Sequence, residues 1–182
     1  MHKSLASSLV VLSGLAACSG PSAIGFDIAR TIPEQRVQGD ALAHTAGTLL
    51  GSSPINPFQL QIDLSAEASA HNSGPIQDVR LRSLTFSITS TNEPSGDTDC
   101  FDFVDSVSLS VESTQSGTQL QPQVIATVMN PGCVRMISFD VVTTVNLAPY
   151  INEGMRISST GRGISPADDV SFDGAITLHA GI

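Results

Sequence analysis

Tryptophan is absent from this chain of 182 residues, tyrosine occurs once, and charged residues make up only 14% of the sequence. Proteins that stack sugars on exposed rings need aromatic side chains, so an aromatic content of 4% does not favour a lectin. Low charge combined with 41% hydrophobic residues is too apolar for a disordered chain. The polar surface must therefore come largely from neutral side chains, which are common on exposed β-sheets.

Positive charge is also scarce. Lys3 is the only lysine among eight cationic residues, and the arginines are scattered among 17 acidic residues, for a net charge of −9. Nucleic-acid binding requires clustered cations that release counterions from phosphates. We therefore expect no nucleic-acid partner and no docking of the domain itself onto anionic lipid. Membrane attachment, if it exists, has to come from another part of the chain.

The N-terminus has the composition of an export signal. A short cationic start, Met1-His2-Lys3, precedes the uncharged residues 4–17. That stretch suits a signal peptide and is too short to cross a hydrocarbon core of about 30 Å as a helix. It ends in Leu15-Ala16-Ala17-Cys18, which resembles the bacterial lipobox. Residues 1–17 are thus predicted to be a lipoprotein signal peptide, and residues 18–24 a lipidated cysteine and tether.

The lipobox resemblance implies a diacylglyceryl group on the Cys18 thiol, cleavage before Cys18 and acylation of the new amine, typically with palmitate. Two or more acyl chains hold a protein stably on a bilayer, whereas one does not. An ordinary secretory signal is the alternative, but such signals prefer a small residue where Leu15 stands. By the lipoprotein sorting pattern, Ser19 after the cysteine implies the outer membrane of a Gram-negative host.

Two cysteines remain after Cys18. In an oxidising compartment, Cys100 and Cys133 are expected to form a disulfide. Both lie in turn-like sequence, which predicts a bond joining two loops at one end of a sandwich. Zinc is the alternative, and it is disfavoured because no histidine stands at ligand spacing. No cofactor is expected.

Alternation of apolar and polar residues dominates the remaining sequence, which favours antiparallel strands with one buried face. We predict one domain over residues 25–182, an all-β antiparallel sandwich of about seven to nine strands with one or two short helices. A closed barrel is the alternative architecture. The alternating runs lie at 58–64, 84–88, 101–111, 137–147 and 170–182.

One strand shows a change of register. Val79 and Leu81 share one parity, whereas Leu84 and Phe86 have the other. A β-bulge or a strand break near Arg82 would reconcile the two halves.

The two helices are predicted from capping residues. Asp40 is a suitable N-cap for residues 41–50. Ser65 could cap a second helix ending near Asn72, although that segment also alternates, so helix and strand compete there.

Three stretches, 100–106, 146–150 and 161–166, add a family resemblance to this layout. With them, the chain resembles β-sandwich lipoproteins of Gram-negative bacteria, myxobacteria among them. That resemblance carries no known activity, so it transfers no functional residue.

Candidate binding residues are few. Asp97, Asp99 and Asp102 suggest a calcium loop, but their spacing departs from the standard ligand pattern, and a solvated acidic loop is the preferred interpretation. Arg80 and Arg82 share a strand face where they could clamp a carboxylate, although pairing with nearby acids is more common. Surface positions are the preferred interpretation for the three histidines of the mature chain, His44, His71 and His179.

No nucleophile elbow, phosphate-binding glycine loop or zinc-protease motif occurs. The sequence therefore predicts a non-enzymatic envelope module, held to the membrane by its N-terminal lipid, that either binds an envelope protein as its partner or has a structural role at the cell surface. The alternative is a carrier of an apolar ligand such as lipid, which requires an internal pocket. A hydrolase would require one histidine to converge with an aspartate and a serine.

Overall fold

Two antiparallel sheets pack around one hydrophobic core in the computed structural model, which describes residues 25–50, 53–55, 59–60, 77–91 and 98–181. The first sheet has the order β1-β10-β4-β7 and the second β2-β9-β5-β6-β8, with β3 pairing with β9 outside that path. The predicted β-sandwich is confirmed. Among the described residues it comprises the strands β1 Gly25–Val37, β2 Ser53–Ile55, β3 Gln59–Leu60, β4 Asp78–Ile88, β5 Val104–Ser113, β6 Gln123–Met129, β7 Met136–Ser138, β8 Asp140–Val141, β9 Met155–Gly163 and β10 Val170–Gly181.

The predicted first helix, α1, spans Ala41–Leu50. Asp40 caps it, because its Oδ1 accepts hydrogen bonds from the backbone N–H groups of Leu42 at 2.9 Å and Ala43 at 3.0 Å. The predicted second helix near Ser65 lies outside the described residues. A five-residue helix that the sequence pattern did not indicate, α2, spans Ala148–Asn152.

The predicted register change in β4 is a β-bulge within one continuous strand. Ser83 pairs with Thr177 of β10 and Leu81 pairs with Leu178, so Arg82 is the extra residue. Arg82 and Ser83 are both exposed, whereas Leu81 and Leu84 on either side are buried. The bulge therefore keeps both halves of the strand facing the core.

The alternating run at 137–147 is divided between the two sheets. β7 pairs with β4 in the first sheet, whereas β8 pairs with β6 in the second. Phe139, between them, is buried, and its ring meets that of Phe86 edge-on at 4.9 Å. The alternation of apolar and polar residues persists across this crossing because the apolar side chains on both sides of it point into the same interior.

The sandwich has two distinct ends. At the Gly25 end, Gly25 and Asp78 both pair with Gly181. We call the opposite end the disulfide end, because Cys100 and Cys133 are bonded there with their Cα atoms 5.0 Å apart, as the sequence predicts. It contains the segments 38–40, 89–91, 98–103, 130–135 and 164–169.

Candidate functional site

A polar cleft of about 570 Å³ lies at the disulfide end, beside the first sheet. β1 supplies one wall, the residues leading into β10 supply the second, and the chain leaving β4 supplies the third. Hydroxyl and charged side chains line the cleft: Glu34, Arg36, Ser90, Thr91, Asp168, Asp169 and Ser171.

An ion pair joins two of these walls. The Nε of Arg36 donates to Oδ2 of Asp169 at 3.0 Å, and Nη2 of Arg36 contacts the same oxygen. The other oxygen, Oδ1, accepts a hydrogen bond from the backbone N–H of Gly39 at 2.8 Å. This backbone hydrogen bond first, and then the hydrogen bond from Arg36, hold the pKa of Asp169 below its ordinary value.

Gly39 is required by a close backbone approach. A Cβ built on it would lie 2.0 Å from the carbonyl carbon of Asp168. The chain before α1 can therefore pack against the chain before β10 only with glycine at this position.

Hydroxyl groups form the third wall. Ser171 is buried, and its Oγ accepts a hydrogen bond from Oγ1 of Thr89 at 2.8 Å. Oγ1 of Thr91 donates to Oδ2 of Asp99 at 3.4 Å, which links the cleft to the residue next to Cys100. The cleft is thus built on strand ends that hydrogen bonds hold in place.

The predicted calcium loop receives no support from the described part of it. Asp97 lies outside the described residues. Asp99 accepts the hydrogen bond from Thr91, and Asp102 is exposed on the 3-10 turn Phe101–Phe103. Among the described residues, the one cluster with metal-ligand spacing is Cys100, Asp102 and Cys133, in which both sulfurs are bonded to each other.

The two arginines of the predicted pair bind acids of the chain itself. Nε of Arg80 donates to both carboxylate oxygens of Asp78, at 3.0 and 2.8 Å. Arg82 bonds Asp27 at 3.2 Å. Each arginine is therefore engaged by an acid within the chain, as the preferred sequence interpretation expects.

The described histidines do not form a catalytic group with a serine. Nδ1 of His44 lies 2.9 Å from the carbonyl oxygen of Ser165, and Nδ1 of His179 lies 2.7 Å from Asp27. Nε2 of His179 faces Gly25, where a Cβ would lie only 2.5 Å away. His71 and Cys18 lie outside the described residues.

Sequence analysis does not find the cleft. Arg36 and Asp169 are 133 positions apart, and neither belongs to a motif. Pro33 is a local signal in the sequence, since proline is disfavoured inside a strand, and it lies at a register irregularity in β1 between Ile32 and Gln35.

No protein-family model and no curated protein matches this chain. No helix among the described residues is long and apolar enough to cross a membrane.

Some solved structures are distantly similar. A 60-mer of BFDV capsid protein has 9% identity and a TM-score of 0.37, covering 88% of this chain and 93% of that one. A decameric form has 10% identity and a TM-score of 0.39, covering 87% and 99%. Desmodium yellow mottle tymovirus has 11% identity and a TM-score of 0.25, covering 100% and 96%. At these TM-scores, the similarity supports no inference about function.

Proposed function

We propose that the protein is a lipid-anchored lipoprotein of the bacterial outer membrane whose β-sandwich is a non-enzymatic interaction module. The observation that carries this proposal is the sequence Leu15-Ala16-Ala17-Cys18 at the end of an uncharged segment. The anchor is the lipid on Cys18, since the sequence that follows it has seven arginines scattered among 17 acidic residues and is poorly suited to bind anionic lipid itself.

The positions of the two ends of the sandwich support this function. Gly25 follows Cys18 by seven residues, which span at most about 25 Å when extended. From Gly25, β1 runs the length of the sandwich over 13 residues, or about 43 Å. A lipid on Cys18 would therefore keep the Gly25 end near the bilayer and present the disulfide end to other molecules.

The loop between β6 and β7, residues 130–135, has with its flanking methionines the character of a docking surface. Met129 and Met136 are exposed by 67% and 61%, and Val134 between them by 40%. The backbone N–H of Phe101 donates to the carbonyl of Val134 at 3.0 Å, so the loop is held in place before any partner binds. Exposed methionine on a preorganised surface is typical of protein interfaces.

The described histidines support the proposed non-enzymatic role. His44 contacts the carbonyl oxygen of Ser165 and His179 contacts the carboxylate of Asp27, so neither contacts a serine hydroxyl that it could activate. The alternative of an apolar carrier draws no support from the cleft, because hydroxyl and charged groups line it. That alternative stays a prediction.

The anchor is tested by expressing the full chain and its Cys18→Ala variant in a Gram-negative host. We expect the wild type to incorporate labelled palmitate and to enter the detergent phase on partitioning. Cys18→Ala should do neither, whereas the matched Cys133→Ala variant should behave like the wild type. A wild-type chain that stayed in the aqueous phase would contradict the proposal.

The interaction role is tested by placing a photocrosslinking amino acid at Met129 or Met136, with the exposed Ser116, in the loop that follows β5 away from the disulfide, as the control position. We expect a reproducible crosslink to an envelope protein from the first two positions and none from the third. Equal crosslinking from all three would indicate nonspecific contact and contradict a specific surface.

A further inference from the structure

The disulfide is connected to one wall of the cleft through Asp99. The side chain of Asp99 accepts from Thr91 in the cleft wall, and its backbone oxygen accepts from Nη1 of Arg135 at 3.2 Å. Asp99 precedes Cys100, and Arg135 follows Cys133 by two positions. The Cys100–Cys133 bond therefore constrains residues 98–100, which include the acceptor for Thr91 in the cleft wall.

The pairing of the two sheets does not require the Cys100–Cys133 disulfide. The backbone N–H of Ile88 donates to the carbonyl of Arg135 at 2.9 Å, and the N–H of Phe101 donates to Val134 at 3.0 Å. These two hydrogen bonds attach the loop to the sandwich without the sulfurs. Loss of the disulfide should therefore loosen the wall of the cleft and leave the sheets paired.

The disulfide is accessible to a reductant on one side. Cys133 is exposed, whereas Cys100 is 9% exposed. A carboxylate oxygen of Asp102 lies within 4.8 Å of both sulfurs. An attacking thiolate is anionic, so the carboxylate repels it and also disfavours the thiolate that must leave.

We propose that the Cys100–Cys133 disulfide is a redox latch on the Thr91 wall of the cleft, and that Asp102 restricts its reduction. A thiolate of a dithiol reductant attacks Sγ of Cys133, the S–S bond breaks, and Cys100 leaves as a thiolate that takes up a proton. The second thiol of the reductant then displaces Cys133 from the mixed disulfide. The latch gains two electrons and two protons, and the reductant becomes a cyclic disulfide.

Hydrogen exchange measured by mass spectrometry on the full chain tests the latch. After reduction, we expect exchange at 90–91 and 98–100 to quicken by about tenfold or more, with β1 and β10 unchanged. The double variant Cys100→Ser/Cys133→Ser should reproduce this pattern without reductant. Unchanged exchange in the wall, or equal acceleration throughout both sheets, would overturn the proposal.

The role of Asp102 is tested by the rate of reduction with dithiothreitol, comparing Asp102→Asn with Asp140→Asn. Asp140 is an exposed acid on β8 outside the sulfur cluster, so both variants have the same net charge. We expect Asp102→Asn to be reduced roughly three to five times faster than either the wild type or Asp140→Asn at low salt. The difference should shrink at about 1 M salt. Equal rates for the two variants at low salt would overturn the role of Asp102.

Discussion

The side chain of Asn146 takes the place of a neighbouring strand for Val79. Its Oδ1 accepts the backbone N–H of Val79 at 3.0 Å and that of Ala148 at 3.0 Å, while Nδ2 donates to the carbonyl of Gln77 at 2.8 Å. One residue thus satisfies backbone groups on both β4 and the start of α2. It joins the Gly25 end of the first sheet to the segment that connects β8 and β9 of the second sheet.

Asn146→Ala is expected to lower the free energy of unfolding by about 1–3 kcal/mol, because it leaves the N–H of Val79 without its acceptor. Urea denaturation of the variant and the wild type measures the loss. Asn152→Ala is the matched control, since the side chain of Asn152 is exposed and forms no hydrogen bond with the described residues. Equal losses in the two variants would contradict the assigned role of Asn146.

The ion pair at the cleft gives a prediction about pH. The pKa of Asp169 is lower in the folded chain than its ordinary value, so its stabilising effect is complete above the unfolded pKa of about 3.9 and is lost as the pH falls through the folded pKa. The urea midpoints of the wild type and Asp169→Asn should differ at neutral pH. That difference should narrow as the pH is lowered below about 4.

Asp168→Asn is the control for this pH series. Its carboxylate also lines the cleft but forms no hydrogen bond or ion pair with the described residues. We expect the midpoint of this variant to follow that of the wild type at every pH. A gap between the wild type and Asp169→Asn that stayed constant down to about pH 2 would exclude ionisation of Asp169 as its cause.

The close approach at Gly39 makes a different prediction. Gly39→Ala should cost roughly 2–3 kcal/mol of stability, because the methyl group would overlap the backbone of Asp168. Gly117→Ala should cost about 1 kcal/mol, since Gly117 has a φ of +79° but a Cβ there would meet nothing within 4 Å. Thermal unfolding distinguishes the two. A smaller loss at Gly39 than at Gly117 would mean that the chain before β10 moves aside easily.

Features of the fold that depend on neighbouring residues could be predicted from the sequence. Residue parity exposed the bulge at Arg82, and a capping aspartate located α1 at Ala41–Leu50. Cysteine counting gave the disulfide at one end of the sandwich. The passage from β7 to β8 was not accessible, because a strand that changes sheets keeps the same alternation on both sides of the crossing.

The cleft was not predictable because its parts are far apart in the chain. Glu34 and Arg36 come from β1, Ser90 follows β4, and Asp169 precedes β10. These residues meet only because β10 pairs with both β1 and β4. No local pattern encodes that pairing order, and single polar residues at strand ends have no distinguishing spacing.

Deletion of Arg82 tests the register of β4 directly. Without the extra residue, either Val79 and Leu81 or Leu84 and Phe86 must turn toward solvent, since a shift by one position exchanges the two faces of a strand. Each of these four side chains is at most 2% exposed in the fold. We therefore expect the deletion to abolish cooperative unfolding, whereas Arg82→Ala, which keeps the backbone count and loses one surface contact with Asp27, should cost less than about 1 kcal/mol. Near-UV circular dichroism and urea denaturation compare the two variants. A deletion variant as stable as Arg82→Ala would show that the residue count between the two halves of β4 does not set the register.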